Sequence, residues 1–530
     1  MPTYLSPGVY VEEVESGSRP IEGVGTAVAA FVGIAAEGPF HAPTLVSSWT
    51  QFTSLFGEFV AGSYLAHAVY GYFMNGGGNC YVVRIGAGPS ANGAANGAAN
   101  GARKQAGGAD KQAAISANAP QAEVGRLRFL ASDPAARSGE ISVDVGEPGG
   151  DSPGDDMFKI VVKRDGQQVE EFDRATLGKG RQNVLTMVNA ASKVIRIEEV
   201  THVSAQRPDF GTVELAAPAS PAPVPLPRLS TDDYVGDVSQ RTGFGGLEAI
   251  DDVTMICVPD LMSAYQQGAV DLETVQAVQL GMIAHCELMG DRVAILDPPP
   301  GLNVQQVKEW RVDKAGYDSK YATLYWPWIK VADPATGTLV HVPPSGHVAG
   351  IWGRNDDTRG VHKAPANEVV RGAVNLELQI TKNEHALLNP TGINCLRAFP
   401  GGGIRVYGAR TLSSDPAWRY LTVRRLFNYL EESILGGTQW VVFEPNDRML
   451  WARIRRTISA FLVNEWRKGA LFGSTPDEAF YVICDDSTNT SESIDAGQVI
   501  CQIGIAPVKP AEFVVFRLAQ FSGGTSLVSE

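Results

Sequence analysis

VTMICVPD (Val253–Asp260) is a short run of apolar and β-branched residues closed by a proline and an acid. That is the pattern of a strand. A helical pattern follows from Asp271 to Met289, with Leu272, Val275, Val278, Met282 and Met289 on one stripe. Next come a strand in RVAILDPP (Arg292–Pro299), a helix over Asn303–Val312 and a strand in YATLYWPWIKV (Tyr321–Val331). Strand–helix alternation of this kind predicts a parallel sheet covered by helices, because parallel neighbours need a crossover connection.

Working toward the N-terminus, residues 25–86 read as strand, helix, helix, strand. GTAVAAFVGIA (Gly25–Ala35) and CYVVRIG (Cys80–Gly86) supply the strands. Between them, SYLAHAVYGYFMNGG (Ser63–Gly77) carries helical spacing at Leu65, Val69 and Phe73. Composition then changes abruptly to ANGAANGAANGA (Ala91–Ala102), a repeat with nothing to bury, which reads as a flexible linker. A Pro-rich linker, AAPASPAPVPLPRL, spans Ala216–Leu229. Between the linkers lie the strand candidates RLRFLA, EISVDV, FKIVVKRDG and KVIRIEEV, which predict an inserted, mainly β domain.

The last third is helix-rich. Asp415-Pro416 reads as a cap opening a helix through Leu426, Tyr429 and Leu430 to Ile434. A second helix is expected from Asp447 to Lys468, with Leu450, Trp451, Ile454, Ile458, Phe461 and Leu462 inward and Arg453, Arg456 and Arg467 opposite. Thr475-Pro476-Asp477-Glu478 reads as a capping box. YVICD, VICQIGIAPV and EFVVFRL read as strands.

Both chain ends carry apolar strand-like segments, YLSPGVYVEEV (Tyr4–Val14) and PAEFVVFRLAQF (Pro510–Phe521), with no evident partner nearby in sequence. Such strands aggregate unless a sheet edge receives them. An edge on a neighbouring copy would make the chain a polymer subunit linked by strand addition. The contact residues expected are Val9, Tyr10 and Val11 in front, and Phe513, Val514, Val515 and Phe516 behind. Ser16-Gly17-Ser18 and Gly504–Pro510 read as hinges.

Composition narrows the function. The 530 residues imply more than one core, and 44 basic against 58 acidic residues leave a net charge of −14, which argues against nucleic acid as main partner. Cys80, Cys257, Cys286, Cys395, Cys484 and Cys501 include no CxxC pair and read as buried thiols of a protein folded in the cytoplasm. Neither a signal peptide nor an apolar run of about 20 residues is visible, so membrane insertion is not expected. No phosphate loop is present, and FPGGGIRVYGAR (Phe399–Arg410) reads as a tight turn before a strand. His341, His347 and His362 lack neighbours at ligand spacing and read as loop histidines, so no metal or cofactor is expected.

One segment has an enzymatic look. PPSGHVAG (Pro343–Gly350) is similar to the nucleophile-serine segment of subtilisin-like proteases. The acid would be Asp251 or Asp260, but the available histidine, His285, sits within an apolar helix. The general base is therefore missing, and a subtilisin-like sheet without activity is the reading, against a cryptic hydrolase. A third reading, a carbohydrate- or surface-binding module in the inserted β domain, could coexist with a structural polymer subunit.

The longest motifs settle the choice. GINCLRAFPGGGIRVYGARTLSSDPAWRYLTVRRLFNYLEESI (Gly392–Ile434), TQWVVFEPND, LWARIRRTISAFL and APVKPAEFVVF, with YLSPGVYVEEV and FVGIAAEGP in front, resemble contractile-tail sheath proteins. That family includes sheaths of phage tails, tailocins and phage-tail-like injection systems. The resemblance implies an α/β multidomain chain. Its parts would be an N-terminal arm (1–24), an N-terminal core segment (25–90), a linker (91–123), an inserted β domain (124–215) and a Pro-rich linker (216–246). A subtilisin-like α/β domain (247–390), an α+β C-terminal core domain facing an inner tube (391–508) and a C-terminal arm (509–530) would follow. It further implies a non-enzymatic subunit of six-fold rings whose partners are itself, an inner tube, a baseplate and a terminator or cap protein. Arg453, Arg456 and Arg467 would face the tube. Of the possible machines, an injection system is favoured over a phage tail by the same resemblance.

Overall fold

The computed structural model describes residues 20–86, 121–124, 127–132, 141–149, 157–164, 166–178, 180, 182–199, 208, 210–215 and 229–517. Val9, Tyr10 and Val11 lie outside these residues. The chain divides into two compact units, one formed by 1–90 with 225–530 and one by 91–224.

The larger unit is built on a nine-stranded sheet. Its order is Glu368–Val369, Gly403–Val406, Ile393–Phe399, Ala322–Trp326, Val293–Leu296, Met255–Cys257, Ala29–Gly33, Cys80–Arg84 and Thr44–Val46. From Ile393–Phe399 to Cys80–Arg84 every pairing is parallel, with registers such as Ala29↔Met255 and Leu324↔Ile393. Antiparallel strands finish both sides.

Strand periodicity sorts the side chains into two layers. Ala30, Val32, Ile256, Ala294 and Leu296 pack with Val275, Val278 and Met282 of the Leu272–Met289 helix. Phe31, Met255, Cys257, Val293 and Ile295 pack with Leu65, Val69 and Tyr72 of the Leu65–Met74 helix, and with Val348, Ile351 and Trp352 of the Ser345–Arg359 helix. Helices therefore cover both faces, which is why the strands read as continuous apolar runs.

The sheet draws strands from three expected domains. Ala29–Gly33 and Cys80–Arg84 sit beside Met255–Cys257, and Ile393–Phe399 crosses the expected division at 390/391. The glycine-rich stretch is the turn of the Ile393–Phe399/Gly403–Val406 hairpin, with Gly401 and Gly403 at φ 70° and 71°.

Several elements differ from expectation. YATLYWPWIKV is two strands. Ala322–Trp326 belongs to the large sheet, whereas Ile329–Ala332 joins Leu339–Val342 and Ala373–Leu376 in a three-stranded one. Pro327 lacks the N–H needed to continue a central ladder. The helix expected over Asn303–Val312 is α-helical only over Val304–Glu309 and continues as a π turn, Trp310–Ala315. Asp415 caps a turn through Ala417 and Trp418 rather than a helix, and the helix runs Leu421–Gly437 after a bridge between Arg410 and Tyr420. Glu478 accepts from the Ser474 N–H instead of closing a box on Thr475.

The Arg448–Arg467 helix matches its pattern, with the Asp447 carboxylate accepting from the Leu450 N–H. Its stripe, Leu450, Trp451, Ile454, Ile458, Phe461 and Leu462, packs with Leu426 and Leu430. Phe480, Val482 and Ile505 of a two-stranded ribbon, Phe480–Ile483 with Gln502–Ile505, join this core.

The inserted unit has its own core. The antiparallel sheets Gly211–Glu214/Ile141–Gly146/Phe158–Arg164/Gln167–Ala175 and Gln121–Val124/Leu127–Ala131/Ile195–Glu199 enclose Phe129, Val143, Ile160, Val162 and Ile197. It also holds a helix the strand patterns do not announce, Val184–Ala191, capped by Asn183.

Candidate assembly surfaces

The C-terminal segment leaves the body in three steps. Gln502–Ile505 is held in the ribbon, so Gly504 is part of a ladder and not a hinge. Backbone pairing continues through Ala506, Pro507 and Val508, which face Ala479, Leu471 and Ala470. Among the described residues beyond Val508, one side chain ties the segment to the body. Glu512 accepts from Arg410 Nε at 2.9 Å and Nη2 at 2.5 Å, from Asn389 Nδ2 at 2.7 Å and from Tyr420 Oη at 3.4 Å. Burial pushes the Glu512 carboxyl up, but the hydrogen bonds from Arg410 and Asn389 outweigh it and hold the group below the usual range.

Just past this latch, Phe513, Val514, Val515 and Phe516 are 73%, 68%, 78% and 85% exposed. The strand expected in EFVVFRL is absent, since the described part of this segment pairs with no strand. A strand needs an edge to pair with, and among the described residues this segment is set against none. Four adjacent large apolar side chains in water forgo about 1.5–3 kcal/mol each relative to full burial.

The ribbon has the complementary property. Neither outer edge of Phe480–Ile483/Gln502–Ile505 is paired among the described residues. Two strands alone are marginal, and this pair rests on the Arg448–Arg467 helix. Tyr481 is exposed on it, its ring lying where a Cβ on Gly504 would stand.

The three arginines part company. Arg453 Nη2 pairs with Glu444 at 3.2 Å and its guanidinium lies over the Trp440 ring at 4.4 Å. Arg456 and Arg467 are exposed and carry no ion pair among the described residues. Leu435, Val442, Phe443 and Met449, on and between the two long C-terminal helices, are exposed apolar side chains that sequence reasoning missed, with Phe443 at φ 69°. TQWVVFEPND reads apolar, but periodicity cannot tell an exposed loop from a buried one.

The protease-like constellation is not assembled. Ser345 opens its helix and is fully buried, and its Oγ donates to Asp297 at 2.5 Å while its N–H donates to the other Asp297 oxygen at 3.1 Å. Burial pushes Asp297 up to about 7. Asp260 is spent on the N–H groups of Ile34, Tyr64 and Leu65 and on Ser63 Oγ. Asp251 lines a cavity of about 140 Å³ with Asp252, Asp291 and Glu432. His285 lies 3.5 Å from Arg292 and is pushed down to about 4 by burial and by that charge. Asp297 is not among the acids expected from sequence, although its place at the end of VAIL, the C-terminal edge of a parallel strand, is a recognisable signal. Two of the three histidines expected in loops lie in regular structure: His341 is exposed in the Leu339–Val342 strand and His347 is buried in the Ser345–Arg359 helix, while His362 packs under Gly360. No described helix is long and apolar enough to cross a membrane.

The larger unit is a parallel sheet covered by helices on both faces, and among the described residues it carries an exposed apolar segment at Phe513–Phe516 and a two-stranded ribbon with unpaired edges. Residues 231–412 match the phage tail sheath protein central domain and residues 413–521 the phage tail sheath C-terminal domain. The chain belongs to the phage tail sheath family, a family of structural proteins. It is 23% identical over 537 residues to the tail sheath protein of Burkholderia phage BcepMu, covering 96% of this chain and 95% of that one. Matches to the sheath proteins of Vibrio phage KVP40 (25% identical) and Salmonella phage ViI (26%) cover 43% and 48% of this chain, but only 35% and 39% of those longer proteins. The fold is shared with the contracted sheath of the extracellular contractile injection system PVC, at TM-score 0.57, 23% identity and coverage of 98% and 99% of the two chains. The contracted helical sheath of the anti-feeding prophage is equally similar, at 0.57, 24%, 98% and 100%.

Proposed function

We propose that this chain is the repeating subunit of a contractile sheath, stacked in six-fold rings around an inner tube and linked by strand addition of its two arms. The observation that carries the reading is the Phe513–Phe516 segment, exposed and unpaired just beyond a latch, in a chain whose ribbon has two open edges. Arms from neighbouring copies fill those edges. Each arm of about five residues adds roughly four to six backbone hydrogen bonds at ~1 kcal/mol and ~1.5–3 kcal/mol per buried apolar side chain. Ordering offsets ~1–2 kcal/mol per residue. A single arm is marginal, and a lattice of them is not.

In this reading the three-layer body is the subtilisin-like sheath domain, the 124–215 insertion decorates the exterior, and the C-terminal helices face the tube. Arg456 and Arg467 supply the tube contact, while Arg453 braces the loop that carries Glu444 and Trp440. Baseplate and terminator proteins close the two ends of the polymer. Contraction draws on burial and charge pairing between subunits in a more stable lattice. The fold shared with the contracted injection-system sheaths supports that machine, and the BcepMu tail sheath match, which also spans nearly the whole chain, keeps a phage tail as the second reading.

Electron microscopy of the purified full chain tests the proposal. Rods or hollow tubes are expected from the wild type. Val11→Pro and Val514→Pro, which remove a donor from each arm, should yield folded monomers. Rods that survive both substitutions refute arm-mediated linkage.

A further inference from the structure

The ribbon ends on a pair of cysteines. Its ladder runs Phe480↔Ile505, Tyr481↔Gly504, Val482↔Ile503 and Ile483↔Gln502, so the next partners in the same register are Cys484 and Cys501. The Ala506 N–H donates to the Ala479 carbonyl at 2.8 Å, which sets the phase of the ladder. Residues 479, 481 and 483 therefore sit in hydrogen-bonded pairs, and 480, 482 and 484 in the alternate pairs. In those alternate pairs the Cα atoms approach to about 4.5 Å and side chains are closest. That separation falls inside the roughly 4.4–6.8 Å window of disulfides.

The surroundings hold the pair together. The Cys484 and Cys501 thiols interact directly. Asn489 clamps the turn behind them, its Nδ2 donating to Cys484 Sγ at 3.9 Å and to the Ile500 carbonyl at 3.1 Å, and its Oδ1 accepting from the Ile500 N–H at 2.7 Å. Cys484 is buried, but Cys501 is partly exposed and open to a small reagent, whereas Cys80, Cys257, Cys286 and Cys395 are all buried.

We propose that Cys484 and Cys501 form an intrachain disulfide when the protein meets a small-molecule disulfide such as oxidised glutathione, and so staple the base of the ribbon. The Cys501 thiolate attacks one glutathione sulfur, breaking that S–S bond and releasing a glutathione thiolate. The Cys484 thiolate then attacks the Cys501 sulfur of the mixed disulfide and displaces the second glutathione. Two protein thiols lose two hydrogens and two electrons, and two glutathione thiols gain them. Burial pushes both thiols up, Cys501 to about 12, so the reaction is slow at neutral pH. A reducing cytoplasm leaves the thiols free, and an oxidising exterior closes the staple. The bond itself stands on the ladder geometry. Its effect on acceptance of a neighbour's arm rests on the assembly reading.

The full chain is incubated with oxidised and reduced glutathione at about pH 8.5, near the ordinary thiol pKa. It is then quenched by alkylation under denaturing conditions and mapped by mass spectrometry without reduction. A Cys484–Cys501 linked peptide is expected as the main product. Its rate should rise about tenfold per pH unit, following the thiolate fraction. Cys501→Ser should abolish it. Glutathione left on Cys501 without the linked peptide, or both thiols alkylated at equilibrium, overturns the proposal. This readout needs no assembly, so its failure and that of the arm variants are separable.

Discussion

Glu512→Gln isolates the latch that fixes where the C-terminal arm leaves the body. The substitution removes the charge from two Arg410 contacts and one Asn389 contact, with side chains 9% and 19% exposed at Arg410 and Glu512. Breaking a fully buried ion pair costs about 3–5 kcal/mol. Partial exposure of Glu512, and the bond Arg410 keeps to the Asn389 carbonyl at 3.2 Å, bring the expected loss to about 2–3 kcal/mol. At about 1.4 kcal/mol per factor of ten, local opening of the segment should rise roughly 30- to 150-fold. Hydrogen exchange at Val508, whose N–H is bound to the Ala470 carbonyl, reports that opening, and the ladder amides of Gln502 and Gly504 serve as internal controls. The same loss should lower the thermal midpoint of the body by only a few degrees, because it is set against the unfolding entropy of a large unit. Since the folded-state pKa of Glu512 is depressed, its contribution is present above the ordinary value of 4.5 and lost as pH falls through the folded one. Val508 exchange that is unchanged by the substitution, with the wild type equally protected at acid pH, would refute the latch.

Asp297 has the opposite sign. Its pKa is raised from 3.8 to about 7, so its favourable contribution is present below about 3.8 and lost as pH rises through about 7. Asp297→Asn should flatten that fall in thermal stability across the window, and an unaltered pH profile would contradict the burial argument. Gly346→Ala would drive a Cβ into the Ala68 backbone, where two helices touch. A loss of about 2–3 kcal/mol in chemical denaturation is expected, and a neutral result would mean the helices separate freely. Charge reversal at Arg456 and Arg467 should weaken co-sedimentation with the inner tube protein, whereas Arg453→Ala should mainly loosen the Trp440 loop. Equal effects from all three would undo the division between them.

Much of the body is legible in the sequence because local patterning reports which face is buried. The runs around Met255, Val293 and Ala322 read as strands, and the Arg448–Arg467 helix reads from its stripe and its Asp447 cap. Pattern and structure part where one residue reroutes the backbone. Pro327 sends a single apolar run into two sheets, and the turn at Asp415 delays a helix to Leu421. The Val184–Ala191 helix escapes the pattern because a short apolar run between strand candidates carries too few turns to show a period.

By itself the amino-acid order determined the alternation that makes a covered parallel sheet, the linkers that set an insertion apart, the apolar chain end and the motifs of the sheath family. These are local properties, set by which neighbours along the chain are apolar. Tertiary structure alone decided which groups meet. Ser345 finds Asp297 across 48 residues, Glu512 finds Arg410 across 102, and Cys484 faces Cys501 because two strands settle into one register. Such pairings depend on how distant segments are brought together, and no period in the chain encodes that.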